Sequence, residues 1–352
     1  MIVYLLFILI SFLPQLYGKR YNRRQLFRVV AVYMFLLIGC RSLQVGPDSR
    51  AYATAYLSYQ YKSWNELINF TRGFGNLNIL FSILTKACSC VFPNSYTFYF
   101  LVISGITTYA VVKFFESFSF EYTLSIIMLM SLTYFLFFMS GIKQTLAMSM
   151  IMLSYVAIRR GNTCKFFLLT IAAILFHNSA VVSLIIYPLN KMKFRRWHVA
   201  GAFLLILFAN MFRNQIVQMF YFLMPEGKYS NYGTSYFSVN NLTGLFIQIV
   251  IFGTTVILLM LSNEISEDMK FFLKVYAVGM FFQALTPITA EFFRISMYFS
   301  IVGTVMLPEA IAEQKRDNQR LVWLGCIFVF VAYFFVSTFD NAAYIPYRAF
   351  WQ

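Results

Sequence analysis

The sequence predicts an all-α polytopic integral membrane protein. It should hold about twelve membrane-embedded helices, two of them paired as a short-helix hairpin, and an external interfacial helix. Three observations predict this. Of 352 residues, 60% are hydrophobic and only 12% are charged, about half the charged share of a soluble domain. Mean hydropathy is +0.68. Apolar runs recur along the whole chain, and the 28 Lys and Arg, against 13 Asp and Glu, gather in a few of the segments between them. This composition excludes a soluble globular enzyme, a disordered chain and a disulfide scaffold. The net charge of +15 reads as topogenic charge rather than as a nucleic-acid surface. At roughly 20 residues per span, twelve spans use about 240 residues. Residues 1–352 are therefore read as a single transmembrane domain.

The first run, 3–18, has no basic residue ahead of it, so it does not read as a cleaved signal peptide. Lys19, Arg20, Arg23, Arg24 and Arg28 follow it. The positive-inside rule makes that loop cytoplasmic and the N-terminus external. The second run is 29–40. The third, 77–92, places Leu77, Leu80, Phe81, Leu84 and Val91 on one helical face, with Asn78, Ser82, Thr85, Lys86 and Ser89 mostly on the other. That pattern suits a helix lying in the interface, which makes 41–95 one external segment. Runs 96–115, 122–139 and 143–158 follow, and Arg159 and Arg160 then return to the cytoplasm.

Run 165–190 has Lys165 before it and Lys191, Lys193, Arg195 and Arg196 after it. Both flanks should be cytoplasmic, so the run is read as a hairpin of two short helices broken at His177-Asn178-Ser179. Each arm of about 12 residues rises about 18 Å, which leaves His177 inside a hydrocarbon core about 30 Å thick. A single tilted span is the alternative. Runs 198–212, 243–262, 269–288, 294–311 and 320–338 complete the set, with an external Tyr-rich loop over 212–242. The five cysteines are scattered through apolar sequence and read as packing residues.

This topology leaves ten basic residues outside: Arg41, Arg50, Lys62, Arg72, Lys86, Lys143, Arg213, Lys228, Arg294 and Arg348. They oppose the topogenic signal, so they need a reason. Polar side chains collect at the external helix ends in five groups. RSLQVGPDSRAY carries Arg41, Gly46, Asp48 and Tyr52, and Gly46-Pro47 reads as a turn that folds Asp48 back toward Arg41. GIKQ carries Lys143 and Gln144 at a helix start. His177 stands with Asn178 and Ser179. TAEFFRISMYF carries Glu291, Arg294 and Tyr298, the first two able to share a helix face. The tail YIPYRAF carries Tyr344, Tyr347 and Arg348.

Each group also has a plainer reading. The arginines can snorkel to headgroups, Lys143 can anchor at the interface, Asp48 can serve a turn and Glu291 can neutralise Arg294. Tyr221, Tyr229, Tyr232 and Tyr236 can form an aromatic belt or stack on sugars. His177 is the hardest to dismiss, because a polar ring between apolar stretches is costly unless bonded or functional.

Several cations around one external cavity suit an anionic lipid headgroup such as a pyrophosphate. A nearby carboxylate or imidazole suits removal of a proton from a hydroxyl acceptor. The chain has no DxD, HExxH or His/Cys cluster and no Gly-rich phosphate loop. The expected chemistry is therefore metal-independent, without a cofactor, and uses a lipid-linked donor rather than a nucleotide.

At these residues the sequence resembles the EpsG/Wzy-like family of membrane polysaccharide polymerases, which build O-antigen, capsule and exopolysaccharide. The matching pattern is R…GxDxxxY (Arg41, Gly46, Asp48, Tyr52), then G-I-[RK]-Q (Gly141 to Gln144), H-x-S (His177, Ser179) and a late R…Y (Arg294, Tyr298). Lys143 departs from the more usual Arg and loses bidentate phosphate geometry. The resemblance implies a glycosyltransferase-type enzyme of the bacterial cytoplasmic (inner) membrane. It would join undecaprenyl-pyrophosphate-linked repeat units on the outer face, among membrane lipids, with a chain-length regulator as a candidate partner and no nucleic acid. Carried over, Arg41, Lys143 and Arg294 would hold the pyrophosphate. His177, Asp48 or Glu291 would be the acceptor base, with His177 preferred as an imidazole that stays neutral near pH 7. Gln144, Tyr52, Tyr229, Tyr232, Tyr298 and Tyr347 would line the substrate. Two rivals remain: a lipid-linked oligosaccharide flippase, which needs cations along a path through the bilayer, and a membrane-bound O-acyltransferase, which needs His177 on the cytoplasmic side.

Overall fold

The computed structural model describes residues 1–18, 20–66, 78–195, 197–212, 214–216, 218, 242–262, 264–287 and 290–352. Every named element among them is helical. In chain order these are α1 Ile2–Ser11, α2 Leu13–Tyr17, α3 Arg23–Gly39, α4 Ser49–Tyr59, α5 Ile79–Val91 and α6 Tyr96–Phe118. Then come α7 Tyr122–Ser131, α8 Tyr134–Phe138, α9 Ile142–Arg159, α10 Thr163–Phe176, a 3₁₀ helix Asn178–Ile185 and α11 Ile186–Lys191. The last are α12 Trp197–Met211, α13 Thr243–Met260, α14 Glu267–Ala284, α15 Ala290–Ser300, α16 Gly303–Ala312 and α17 Arg316–Thr338. Among the described residues four stretches are long and apolar enough to cross a bilayer: Tyr96–Phe118, Thr243–Met260, Glu291–Ala312 and Asn318–Thr338. Shorter apolar helices stand beside them. The Tyr-rich loop, with Tyr229 and Tyr232, lies outside the described residues.

Residues 1–184 and 315–352 form one compact unit, and residues 185–314 a second. In the first unit α7 is buried at every position, as expected of a helix apolar all round. The run predicted over 122–139 is divided at Thr133, whose φ of +66° ends α7 before α8 begins. Run 3–18 is likewise divided, with Pro14 in the first turn of its second part. On α17, Leu321, Phe328 and Val336 are exposed, apolar surface of the kind that hydrocarbon solvates.

Interhelical hydrogen bonds tie the unit together. Ser104 donates to the Phe35 carbonyl at 2.7 Å, Thr123 to that of Ser11 at 2.8 Å and Ser131 to that of Phe330 at 2.7 Å. Such bonds hold helices where apolar surface alone gives no preference.

The unit has two distinguishable ends. At one, α3 begins with Arg23 and Arg28, α6 ends and α7 begins. Arg28 pairs with Glu116 at 2.7 Å, Arg23 with Glu121 at 3.8 Å, and Arg160 donates to Ser117 at 3.2 Å. At the other end the C-terminal tail returns. Arg41 and Ala349 form an antiparallel bridge, with Ser42 N–H donating to the Arg348 carbonyl at 2.8 Å and Phe350 N–H to that of Cys40 at 2.9 Å.

Helix α5 has the predicted amphipathic character, and its polar side is the one turned inward. Ser82, Thr85, Lys86 and Ser89 are buried with Phe81 and Cys88, while Ile83 and Val91 are exposed. Lys86 Nζ donates to the carbonyls of Tyr59 and Gln60 at 2.9 and 3.0 Å. It thus places a cation on the carbonyl end of α4, where the helix dipole favours one.

In the second unit, close packing rests on small residues. A Cβ on Gly279 would lie 3.0 Å from Ser300 N, and one on Gly303 would lie 2.5 Å from the Tyr276 ring. Lys274 repeats the capping device of Lys86, donating to the Leu189 carbonyl at 2.6 Å and to that of Met192.

Candidate functional site

Arg41 is entirely buried at the tail end of the first unit. Its Nε donates to Ser49 Oγ at 3.2 Å, its Nη1 donates to the Ile38 carbonyl, and its guanidinium lies 4.0 Å from the Phe100 ring centroid. Tyr4, Tyr99, Tyr344 and Tyr347 surround it. Burial pushes its pKa down to about 10, opposed by the tyrosine oxygens, so it stays a cation at neutral pH. Among the described residues its Nη2 has no hydrogen-bond partner. A buried donor left unpaired costs roughly 1–3 kcal/mol.

The predicted turn at Gly46-Pro47 is present, but it delivers Ser49 rather than Asp48 to Arg41. Gly46 has φ +90° and sits so close to α8 that a Cβ would lie 2.4 Å from the Met139 carbonyl oxygen. Its own N–H donates to the tail carbonyl of Ala343 at 2.7 Å. Asp48 is half-buried and accepts from Ser140 Oγ at 3.2 Å. The first predicted group is thereby joined to the residue that opens the second.

The second group continues from Ser140 into α9. Lys143 Nζ lies 4.9 Å from the centroid of the Phe81 ring, and Tyr52 packs edge-on against the same ring at 5.7 Å. Phe81 therefore lies between the two motifs. Gln144 is buried beside Lys143.

Helix α10 returns antiparallel to α9 through Gly161, at φ +75°, and Asn162, which accepts from Lys165 N–H at 2.9 Å. It ends at His177, whose extended φ of −154° and ψ of 116° break the helix where the sequence predicted. The return brings His177 to the end of the hairpin that carries Lys143 and Gln144. Both its ring nitrogens are shut off from solvent.

The tail completes this end. Tyr347 donates to the Leu37 carbonyl at 3.0 Å, Tyr4 donates to the Tyr344 carbonyl at 3.1 Å, and Arg348 donates to Gln44 Oε1 at 2.6 Å. Tyr344 is hydrogen-bonded to Ser140.

Arg41, Asp48, Tyr52, Lys143, Gln144, His177 and Tyr347 thus share one end of the first unit. Glu291, Arg294 and Tyr298 stand on α15 in the second. Arg294 Nη1 pairs with Glu291 Oε1 at 3.0 Å, both partly exposed, and Tyr298 is fully buried. Residues that the sequence did not single out include Ser49, Ser140, Phe81 and Phe100. The two serines flank the Asp48 and Gly141 motifs, which is the only signal that pointed to them.

The family model described as EpsG family matches residues 24–349, nearly the whole chain. No curated protein and no solved structure matches it.

Proposed function

The chain belongs to the EpsG family of Wzy-like polysaccharide polymerases, and on that premise we propose that it joins lipid-linked oligosaccharide repeat units into a surface polysaccharide at the outer face of the bacterial cytoplasmic membrane. The observation that carries this reading beyond the family is the gathering of a carboxylate, an ammonium and an imidazole, from Asp48, Lys143 and His177, at one end of the first unit. That end lies opposite the one where Arg23, Arg28 and Arg160 collect.

In the proposed reaction the acceptor hydroxyl of an incoming unit attacks the anomeric carbon that links the growing chain to its undecaprenyl pyrophosphate. The carbon–oxygen bond to the pyrophosphate breaks, and the lipid pyrophosphate leaves with the bonding pair. Lys143 meets its developing charge. Asp48 or His177 takes the acceptor proton. Tyr52 and the Tyr-rich segment offer ring faces for sugars. Arg41, enclosed beneath the tail, supports the loop that carries Asp48 and reaches the pyrophosphate only if the tail lifts.

The test is direct. Purified protein incubated with the lipid-linked glycan pool extracted from a deletion strain should give a ladder of products differing by one repeat. Unextended single units would overturn the reading. Transbilayer movement of the same lipid without extension would favour a flippase.

A further inference from the structure

We propose that the C-terminal tail belongs to the site, with Tyr344 and Ser140 acting as positioning residues for the Asp48 carboxylate. The inference rests on the reading of Asp48 as a reactive group and goes beyond it by assigning two residues that the family pattern does not include.

The geometry is a run of three side chains. Ser140 donates its one proton to Asp48 Oδ2 at 3.2 Å, and the Tyr344 side chain stands within hydrogen-bonding reach of Ser140. Ser140 and Tyr344 are both buried, while Asp48 is only half-buried. Ser140 and Tyr344 therefore stand behind the carboxylate, and Ser140 engages only one of its oxygens. Tyr344 is itself held. Its carbonyl accepts from Tyr4 at 3.1 Å, its N–H donates to Asn341, and the neighbouring Ala343 carbonyl accepts from Gly46 N–H at 2.7 Å.

The tail thus pins both sides of the Asp48 turn, Gly46 through the main chain and Asp48 through Tyr344 and Ser140. A carboxylate fixed by buried donors keeps one rotamer and one free oxygen, as a base or acceptor-orienting group requires.

The experiment measures chain extension by purified protein on the lipid-linked glycan pool from a deletion strain, as a function of pool concentration. Ser140→Ala should lower kcat by roughly tenfold or more, the rate equivalent of one hydrogen bond to a charged acceptor, with KM little changed. Tyr344→Phe should lower kcat by less, and Ser140→Thr, which keeps the hydroxyl, should restore it. If both variants extend chains with the kcat of the unaltered protein while Asp48→Asn is inactive, the positioning role is overturned and the reading of Asp48 survives. If Asp48→Asn extends chains normally, the reading of Asp48 falls and the inference falls with it. A variant that lowers melting temperature and kcat together, with no rescue by Ser140→Thr, also overturns it.

Discussion

The Arg41 guanidinium lies 4.0 Å from the centroid of the Phe100 ring, on the first turns of the helix that packs against its own. With its bonds to Ser49 and the Ile38 carbonyl, this contact makes Arg41 a tie between α3, α4 and α6. A desolvated cation–π contact and one bond from a charged donor are together worth on the order of 3 kcal/mol. Arg41→Ala should therefore lower the melting temperature in detergent by several degrees. Arg41→Lys should recover only part, because an ammonium cannot stack its plane on the ring. Chain extension lost with melting unchanged would instead assign Arg41 to the substrate.

Two glycines with positive φ separate backbone strain from steric exclusion. Gly161 turns the α9–α10 hairpin with open space where a Cβ would go, whereas a Cβ on Gly46 would meet the Met139 carbonyl oxygen at 2.4 Å. Gly161→Ala should cost only the left-handed backbone penalty, about 1–2 kcal/mol. Gly46→Ala adds overpacking of about 1–3 kcal/mol against main chain that cannot rotate away. It also loosens the loop that carries Asp48, so it should lose chain extension as well as stability. Equal melting temperatures for the two variants would contradict this.

What was legible in the sequence followed from period and polarity. The break at His177 showed because a polar triplet interrupts an otherwise apolar run, and the amphipathic pattern of 77–92 showed as a helical stripe. Periodicity does not say which stripe faces protein, however. The polar face of α5 turns inward because Lys86 and Thr85 find carbonyl and hydroxyl partners there, Thr85 lying 3.0 Å from the Tyr99 hydroxyl. The partner of Asp48 was equally hidden. A turn at Gly46-Pro47 could be read locally, but Ser140 lies 92 positions away, and nothing in a single sequence couples such residues. The tail's tyrosines were visible as a motif, whereas their seat on Leu37 and Ser140 depends on how the chain returns.

Glu291 and Arg294 test whether a paired cation also serves a substrate. Their ion pair is partly exposed, so it contributes about 0.5 kcal/mol to stability. Glu291→Gln should leave melting nearly unchanged and remove one charged partner of the guanidinium, leaving KM for the lipid-linked glycan pool within about twofold. Arg294→Ala should abolish extension. If Glu291→Gln instead lowers kcat by a hundredfold or more, in the range of a lost general base, Glu291 takes the proton and its pairing with Arg294 is secondary.

Orientation can be tested with cysteines placed at the two ends of the first unit. Cys164 is exposed on the first turn of α10, at the end where Arg160 and the α3 arginines lie. Arg50 is exposed on α4, at the end that holds Arg41 and the tail. With the other cysteines replaced, a membrane-impermeant maleimide applied to intact cells should label Arg50→Cys at once and Cys164 only after permeabilisation. The physical basis is that about ten basic residues were assigned outside against the positive-inside rule, so the assignment depends on those residues serving the site. Labelling of Cys164 alone in intact cells would turn Asp48, Lys143 and His177 toward the cytoplasm. There, nucleotide- and acyl-activated donors are available, and an acyltransferase would become the better reading of the same residues.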